Sequence, residues 1–289
     1  MEPPPAPVVR PPVVVVGLGL IGGSLARDLT ALGHHVLAFD RDAEALAAAH
    51  AEGVVSPWRL AAAPVPDGAI VVLALPVDAL IEFLESHVLQ LRTAAWITDV
   101  GSTKVGVVEA AERAGLGERF VGGHPLAGDH LSGWAASRAG LFDGAPVYLC
   151  AARSATPNVC EQARTFWASL GAHPQMLQAE LHDARLAWTS HLPQLTATAL
   201  ATTLADAGID VGDLGQGGRD TLRLAGSSPE MWAAIARANA TELRPALAAL
   251  EARLAEVRTS LESGEPSLVE KWFRLSQRWA QTGGASEDL

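Results

Sequence analysis

Four consecutive valines, Val13–Val16, run directly into Gly17-Leu18-Gly19-Leu20-Ile21-Gly22, and an amphipathic helical stretch follows. A β-branched run, a GxGxxG turn and a helix in immediate succession constrain this chain more than any other feature, because that order reads as a βα unit with a phosphate cradle. Gly17 permits the tight turn, Gly19 lets the backbone approach a pyrophosphate, and Gly22 lets the helix pack close to the strand. The N–H groups of the helix start, at Leu20 and Ile21, then face phosphate oxygens. A second apolar run, Val36–Phe39, ends in Asp40, near the spacing of about twenty residues at which a carboxylate binds ribose hydroxyls. Asp40 would repel a 2′-phosphate, so NAD is expected in preference to NADP, although the neighbouring Arg41 pulls the other way.

Short apolar runs alternate with amphipathic stretches up to Cys150. Val13–Val16, Val36–Phe39, Ile70–Leu75, Ala95–Val100 and Pro146–Leu149 read as strands, and Ile21–Leu32, Asp42–Glu52, Asp78–Leu91 and Thr103–Ala114 as helices. Repeated βα units with nearly continuous apolar strands predict an α/β, doubly wound parallel sheet covered on both faces. Pro157–Leu170 adds a helix and Pro174–Leu177 an edge strand. From Glu180 onward the period is helical, over Leu181–Ala207, Gly218–Ala225, Pro229–Glu262 with a break near Pro245, and Pro266–Ala280. The expected division is a Pro-rich arm at 1–12, a dinucleotide-binding domain at 13–178 and a helical domain at 179–289. Helices this apolar need a partner surface, and a second copy would supply it, which makes a homodimer the expectation.

Composition excludes several classes of function. The chain of 289 residues has 21 Lys+Arg against 32 Asp+Glu, a net charge of −11, which argues against nucleic acid or an anionic membrane as partner. Its two cysteines form no CxxC and its nine histidines no HExxH, so no metal is expected. No segment reaches the ~18 apolar residues that span a bilayer. The stretch Val13–Ala26 is broken by glycines and lacks a cleavage pattern, so a cytoplasmic protein is expected. Lysine occurs only at Lys104 and Lys271.

Ligands of open α/β sheets sit outside the carboxyl edge of the strands. Leu75 and Pro76 lie there, as does Asp99-Val100-Gly101-Ser102-Thr103-Lys104. Ser102 stands where a nicotinamide ring or a substrate hydroxyl would be reached, and an N-cap of the next helix is its other reading. His124, in Gly122-Gly123-His124-Pro125, is poorly explained as core, and a neutral imidazole can take a proton from an alcohol being oxidised. His182, ahead of Asp183 at a helix start, reads as a capping or surface residue.

GLGLIGGSLA, DVGSTK, GGHPLAGDHLSGW, TSHLPQ and RDTLRLAGSSPEMW, in this order, resemble the prephenate/arogenate dehydrogenase family of tyrosine biosynthesis. The resemblance implies a Rossmann domain followed by an all-helical dimerisation domain, with the active site between them. By resemblance His124 is the base that receives the proton of the substrate C4 hydroxyl, Ser102 bonds the same hydroxyl, and Arg223 holds a substrate carboxylate. Asp220 and Trp232 match residues lining or gating the pocket, and His191 matches the first His of the SHLPH motif. The implied reaction is oxidative decarboxylation with NAD. Independently, Arg219 and Arg223 at i, i+4 repel each other on a helix, which a bound carboxylate would relieve; an Asp220–Arg223 surface pair is the alternative. His191 also reads as a satisfied core histidine. Arg223 and Lys104 are the candidates to offer positive potential to an anionic substrate.

Two positions depart from the pattern. Gln194 replaces the second His of SHLPH, and Asp129 and His130 replace the Thr-Glu of HPxAGTE. Both bear on the substrate side chain, and both favour tolerance of an ammonium. The expected activity is that of a prephenate dehydrogenase, with arogenate as the alternative substrate. A β-hydroxyacid dehydrogenase would need an interdomain Lys, and none occurs between Lys104 and Lys271. A protein that senses NAD without turnover would not need His124, Ser102 and Arg223 together.

Overall fold

A computed structural model of the chain describes residues 10–60, 64–128 and 131–281. They fall into two compact units divided after Ala240. Asp129, His130, most of the expected arm at 1–12 and the last residues of the helical domain lie outside the described residues.

The strands are β1 (Val13–Val16), β2 (Val36–Phe39), β3 (Ser56–Pro57), β4 (Ile70–Leu73), β5 (Trp96–Asp99), β6 (Val121–Pro125), β7 (Pro146–Ala151) and β8 (His173–Met176). The first unit's helices are α1 (Leu20–Ala31), α2 (Ala43–Ala51), α3 (Val77–Ser86), α4 (Val88–Leu91), α5 (Val105–Arg113), α6 (Pro157–Ser169), α7 (Ala179–Leu186), α8 (Leu192–Asp206), α9 (Gln216–Leu222) and α10 (Pro229–Ala238). The second unit is formed by α11 (Ala240–Ser263), from its second residue, and α12 (Pro266–Gln281).

Strands β1 to β5 form a parallel sheet in the order β3-β2-β1-β4-β5, with Val13 in register with both Val36 and Ile70. Its central strand explains the valine run. Val13 and Val15 enter one core with Leu25 and Leu29 of α1 and Phe166 of α6; Val14 and Val16 enter the other with Leu80 of α3 and Val107 of α5. A strand buried on both faces needs apolar residues at every position rather than alternate ones. This is a Rossmann-like parallel sheet followed by a mostly helical part.

A second sheet, β6-β7-β8, pairs β6 antiparallel and β8 parallel to β7. A bridge between Ile97 and Phe120 brings its start against β5. The junction is made by charge. Asp99, the last residue of β5, is fully buried and ion-paired with fully buried Lys104, whose Nζ also donates to Gly123 O at 2.8 Å. Asp99 further accepts from the N–H groups of Gly101 at 2.7 Å and Gly123 at 3.3 Å. Burial pushes the Asp99 carboxyl up, against the pull of Lys104 and these two amides. Lys104 is therefore buried and bonded inside the fold, where it has no surface to meet a ligand, although its charge still bears on His124.

The long helices expected after Glu180 are interrupted. A π-helical turn at Ala187–His191 separates α7 from α8, immediately before Pro193, which has no N–H to continue the helical ladder. The break expected near Pro245 lies instead at Asn239 (φ −109°, ψ 23°), and Pro245 sits inside α11.

Removing one member of a buried ion pair leaves the other charged and unsolvated, at a cost of ~3–5 kcal/mol. Lys104→Met should lower the unfolding free energy in urea by that amount; a loss below ~1 kcal/mol would show that the pair is not what secures the junction.

Candidate active site

The cofactor half of the site is built at the carboxyl ends of β1 and β2. Gly17 adopts φ +98°, and an added Cβ would lie 2.2 Å from Ala74 O, so only glycine fits the turn. At Gly19 nothing lies within 4 Å of an added Cβ. Helix α1 starts there with no side-chain cap and no acidic residue in its first turn, which leaves the N–H groups of its first turn and the positive end of its dipole for an anion. Asp40 stands over the loop: Oδ2 accepts from Leu18 N at 2.5 Å and Oδ1 from Asp42 N at 2.8 Å. Each oxygen keeps a further lone pair for a ribose hydroxyl. Half-buried Leu75 and exposed Pro76 follow β4 on the same edge, and Arg41 is exposed beside Asp40. An open cradle, a free helix start and an oriented carboxylate fit a dinucleotide.

His124 lies on β6, opposite Tyr148 of β7. The sequence reads this segment as a loop because Gly-Gly-His-Pro contains no β-branched residue. Close approach explains the glycines: a Cβ on Gly123 would sit 2.7 Å from Asp99 O, and one on Gly122 3.0 Å from Asp99 Oδ1. Only bare backbone can bring this strand against the end of β5, and His124 is the first side chain beyond it.

The His124 ring is half-buried, and its Nδ1 lies 2.8 Å from His182 Nε2. His182 in turn places Nδ1 2.7 Å from Asp183 Oδ1. Burial, with positive potential from His182, Lys104 and His191 added, holds the His124 imidazole well below 6.5, so it is neutral at pH 7. His182 is not the surface or simple capping residue that its position predicts: it is fully buried. The capping is done by Asp183, whose Oδ1 and Oδ2 accept from Lys104 N at 2.8 Å and Val105 N at 2.9 Å at the start of α5. That corrects the cap reading of Ser102, which makes no hydrogen bond among the described residues and stays half-buried at the sheet edge.

The same aspartate leads to the helical side. Asn239 Nδ2 donates to Asp183 O at 2.8 Å and lies 3.0 Å from His191 Nδ1. A backbone carbonyl can only accept, so the amide nitrogen is fixed there, His191 accepts at Nδ1, and its own proton sits on Nε2. Burial lowers the buried His191 imidazole to about 4, with His182 adding to the effect and Asp183 opposing it. Trp232 meets the His191 ring edge-on at 5.9 Å. Buried Gln194 donates Nε2 to Leu224 O at 2.8 Å, tying α8 to the turn Arg223–Gly226, while its Oε1 is buried without a partner.

Arg223 is exposed, beyond the end of α9, and has no ion pair among the described residues. The alternative Asp220–Arg223 pair does not form: Asp220 accepts from Gln216 Nε2 at 2.8 Å, and Arg219 donates to Leu214 O. His124, His191 and Trp232 are thus linked through His182, Asp183 and Asn239, none of which sequence reasoning selected. The adjacent His-Asp pair was the available signal.

The family model for the prephenate dehydrogenase nucleotide-binding domain matches residues 25–176, and that for the prephenate dehydrogenase dimerization domain matches residues 178–275. A prephenate dehydrogenase of Bacillus subtilis (strain 168) is 31% identical over 275 residues, 92% of this chain and 74% of the relative. A cyclohexadienyl dehydrogenase of Zymomonas mobilis is 30% identical over 278 residues, 92% of this chain and 94% of the relative. The solved structure of prephenate dehydrogenase from A. aeolicus with hydroxyphenyl propionate and NAD+ is similar at a TM-score of 0.85 and 29% identity, covering 96% of this chain and all of that one.

Because the folded protein holds His191 near 4 while the unfolded chain protonates it near 6.5, the unfolded state binds the proton first and stability falls as pH drops through that window. The loss between pH 7 and about pH 4.5 should be ~2 kcal/mol smaller in His191→Gln than in the wild type. Equal losses by urea titration would mean that His191 charges freely in the fold.

Proposed function

The chain belongs to the prephenate dehydrogenase family, and we propose that it oxidises prephenate with NAD, with loss of CO2, to 4-hydroxyphenylpyruvate in tyrosine biosynthesis. The observation that carries the mechanism is the placement of His124 on a strand held against the carboxyl end of the parallel sheet, where burial lowers its imidazole below the ordinary value. The glycine loop, Asp40, Leu75 and Pro76 hold the dinucleotide, which when bound supplies the hydride acceptor. Ser102 hydrogen-bonds the C4 hydroxyl, and His124 takes its proton as C4 is oxidised. The ring carboxylate then leaves as CO2 and the ring becomes aromatic. Arg223, without an ion pair among the described residues and with a planar fork of donors, grips a carboxylate of the substrate. His191 offers its Nε2–H, and Trp232 walls the pocket beside it. Asp220 and, outside the described residues, Asp129 complete the proposed lining.

Prephenate is the main substrate in this reading and arogenate a second one. Gln194 supports the second by its residue type: its amide is neutral and, with Nε2 donated to Leu224 O, it presents no charge that would repel an ammonium. A histidine there could donate to the keto acid and, when charged, would repel the ammonium of arogenate.

The proposal includes a homodimer through the helical part at 179–289, with 13–178 as the dinucleotide-binding domain. It is supported by the family model's description and by the exposed Leu254, Leu261, Phe273 and Trp279 of α11 and α12. No described helix is long and apolar enough to cross a membrane, and the reading is of a cytoplasmic enzyme.

His124→Asn should lower kcat at pH 7 by at least ~10², the low end for a general base, with NAD affinity nearly unchanged. A variant keeping half its kcat removes His124 from the chemistry. Gln194→His should move the kcat/KM ratio towards prephenate. A wild type that prefers arogenate tenfold, ~1.4 kcal/mol of discrimination, overturns the substrate assignment.

A further inference from the structure

We infer that His182 is a positioning residue for the base: it fixes the proton of His124 on Nδ1 and leaves the Nε2 lone pair as the ring's one proton acceptor. The inference rests on the role proposed for His124 and adds a residue that none of the family motifs contains.

The direction of each hydrogen bond follows from the acceptor at the end of the chain. An ionised carboxylate has no proton to give, so His182 Nδ1, 2.7 Å from Asp183 Oδ1, must carry one. With its one N–H placed there, the other nitrogen of the His182 ring, Nε2, is a lone pair. It lies 2.8 Å from His124 Nδ1, which must therefore be the donor. A neutral imidazole has a single N–H, so Nε2 of His124 is left bare.

Asp183 cannot turn away to relax this order. Its two oxygens also accept from Lys104 N and Val105 N, and its carbonyl holds Asn239. Rotation would orphan two amides at the start of α5. His182 has no exposed surface, so water does not compete for its lone pair. Tyr148 of β7 meets its ring edge-on at 5.7 Å, and Arg185 of α7 donates Nη1 to the Tyr148 hydroxyl oxygen at 3.3 Å. Among the described residues, the other charged or titratable groups acting on His124 are Lys104, paired with Asp99 behind β6, and His191, at the end of the π-helical turn that follows α7. When Nε2 of His124 takes the substrate proton, the ring's Nδ1–H stays donated to His182, and the Asp183 carboxylate lies one ring further on to stabilise the cation.

Nitrogen-15 NMR of the full chain labelled at histidine tests this, with His124→Asn used to assign the His124 signals. At pH 7 the wild type should show His124 protonated at Nδ1 and bare at Nε2. His182→Leu should lose this preference and at least ~10-fold in kcat with NAD affinity unchanged. His182→Gln, whose amide oxygen can accept from Nδ1–H, should restore both in part. A wild-type His124 protonated at Nε2 overturns the inference, and this result needs no variant to fold. So does a His182→Leu variant that keeps the Nδ1 proton. Loss of the preference with kcat unchanged upholds the hydrogen-bond order and counts instead against His124 as the base, so the two readings fail separately.

Discussion

A lysine and an aspartate, both without exposed surface, join the two sheets of this molecule. Their pairing is what allows a polar strand end to be buried at all: Asp99 closes β5, and Lys104 reaches past it to the carbonyl of Gly123. That bond acts together with buried Val121 and the Ile97–Phe120 bridge to hold β6 against the parallel sheet. The position of His124 therefore rests in part on an ion pair between residues five apart in sequence, located behind the strand rather than in the site.

A second carboxylate organises the opposite side. Asp183 caps α5, orders His182 and, through Asn239, orders His191. One buried residue thus bonds His182 directly and reaches His191 through Asn239, and each of its hydrogen-bond partners is a donor. Such a network is costly if incomplete, because each orphaned group would remain desolvated. Burial, against the opposing pull of Asp183 at His191, holds the His124 and His191 imidazoles below their ordinary value, which suits a base that must be unprotonated before it meets the substrate.

The glycine loop, Asp40 and the parallel strands were legible because their signals are local. A run of four valines, a fixed glycine spacing and a carboxylate at a strand end each dictate structure within a few residues. His124 could be singled out from the sequence as a candidate but not placed on a strand, because β6 is made by pairing with β7 and by close backbone approach to β5 rather than by strand propensity. His182 was misread for a different reason. Leu181 is 55% exposed while His182 and Asp183 are buried, the inverse of what polarity alone predicts, and only partners contributed from α5, β6 and Asn239 make that inversion tolerable. The break at Asn239 has the same origin: its side chain is needed across the helices, whereas Pro245 near the start of α11 is accommodated without one.

In the proposed reaction, oxidation at C4 is coupled one-to-one to loss of the ring carboxylate. The decisive experiment is turnover with NAD of prephenate bearing deuterium at C4. One deuterium should appear in the reduced cofactor for each CO2 and each 4-hydroxyphenylpyruvate formed. Release of CO2 without reduced cofactor, or reduced cofactor without deuterium, would contradict this coupling.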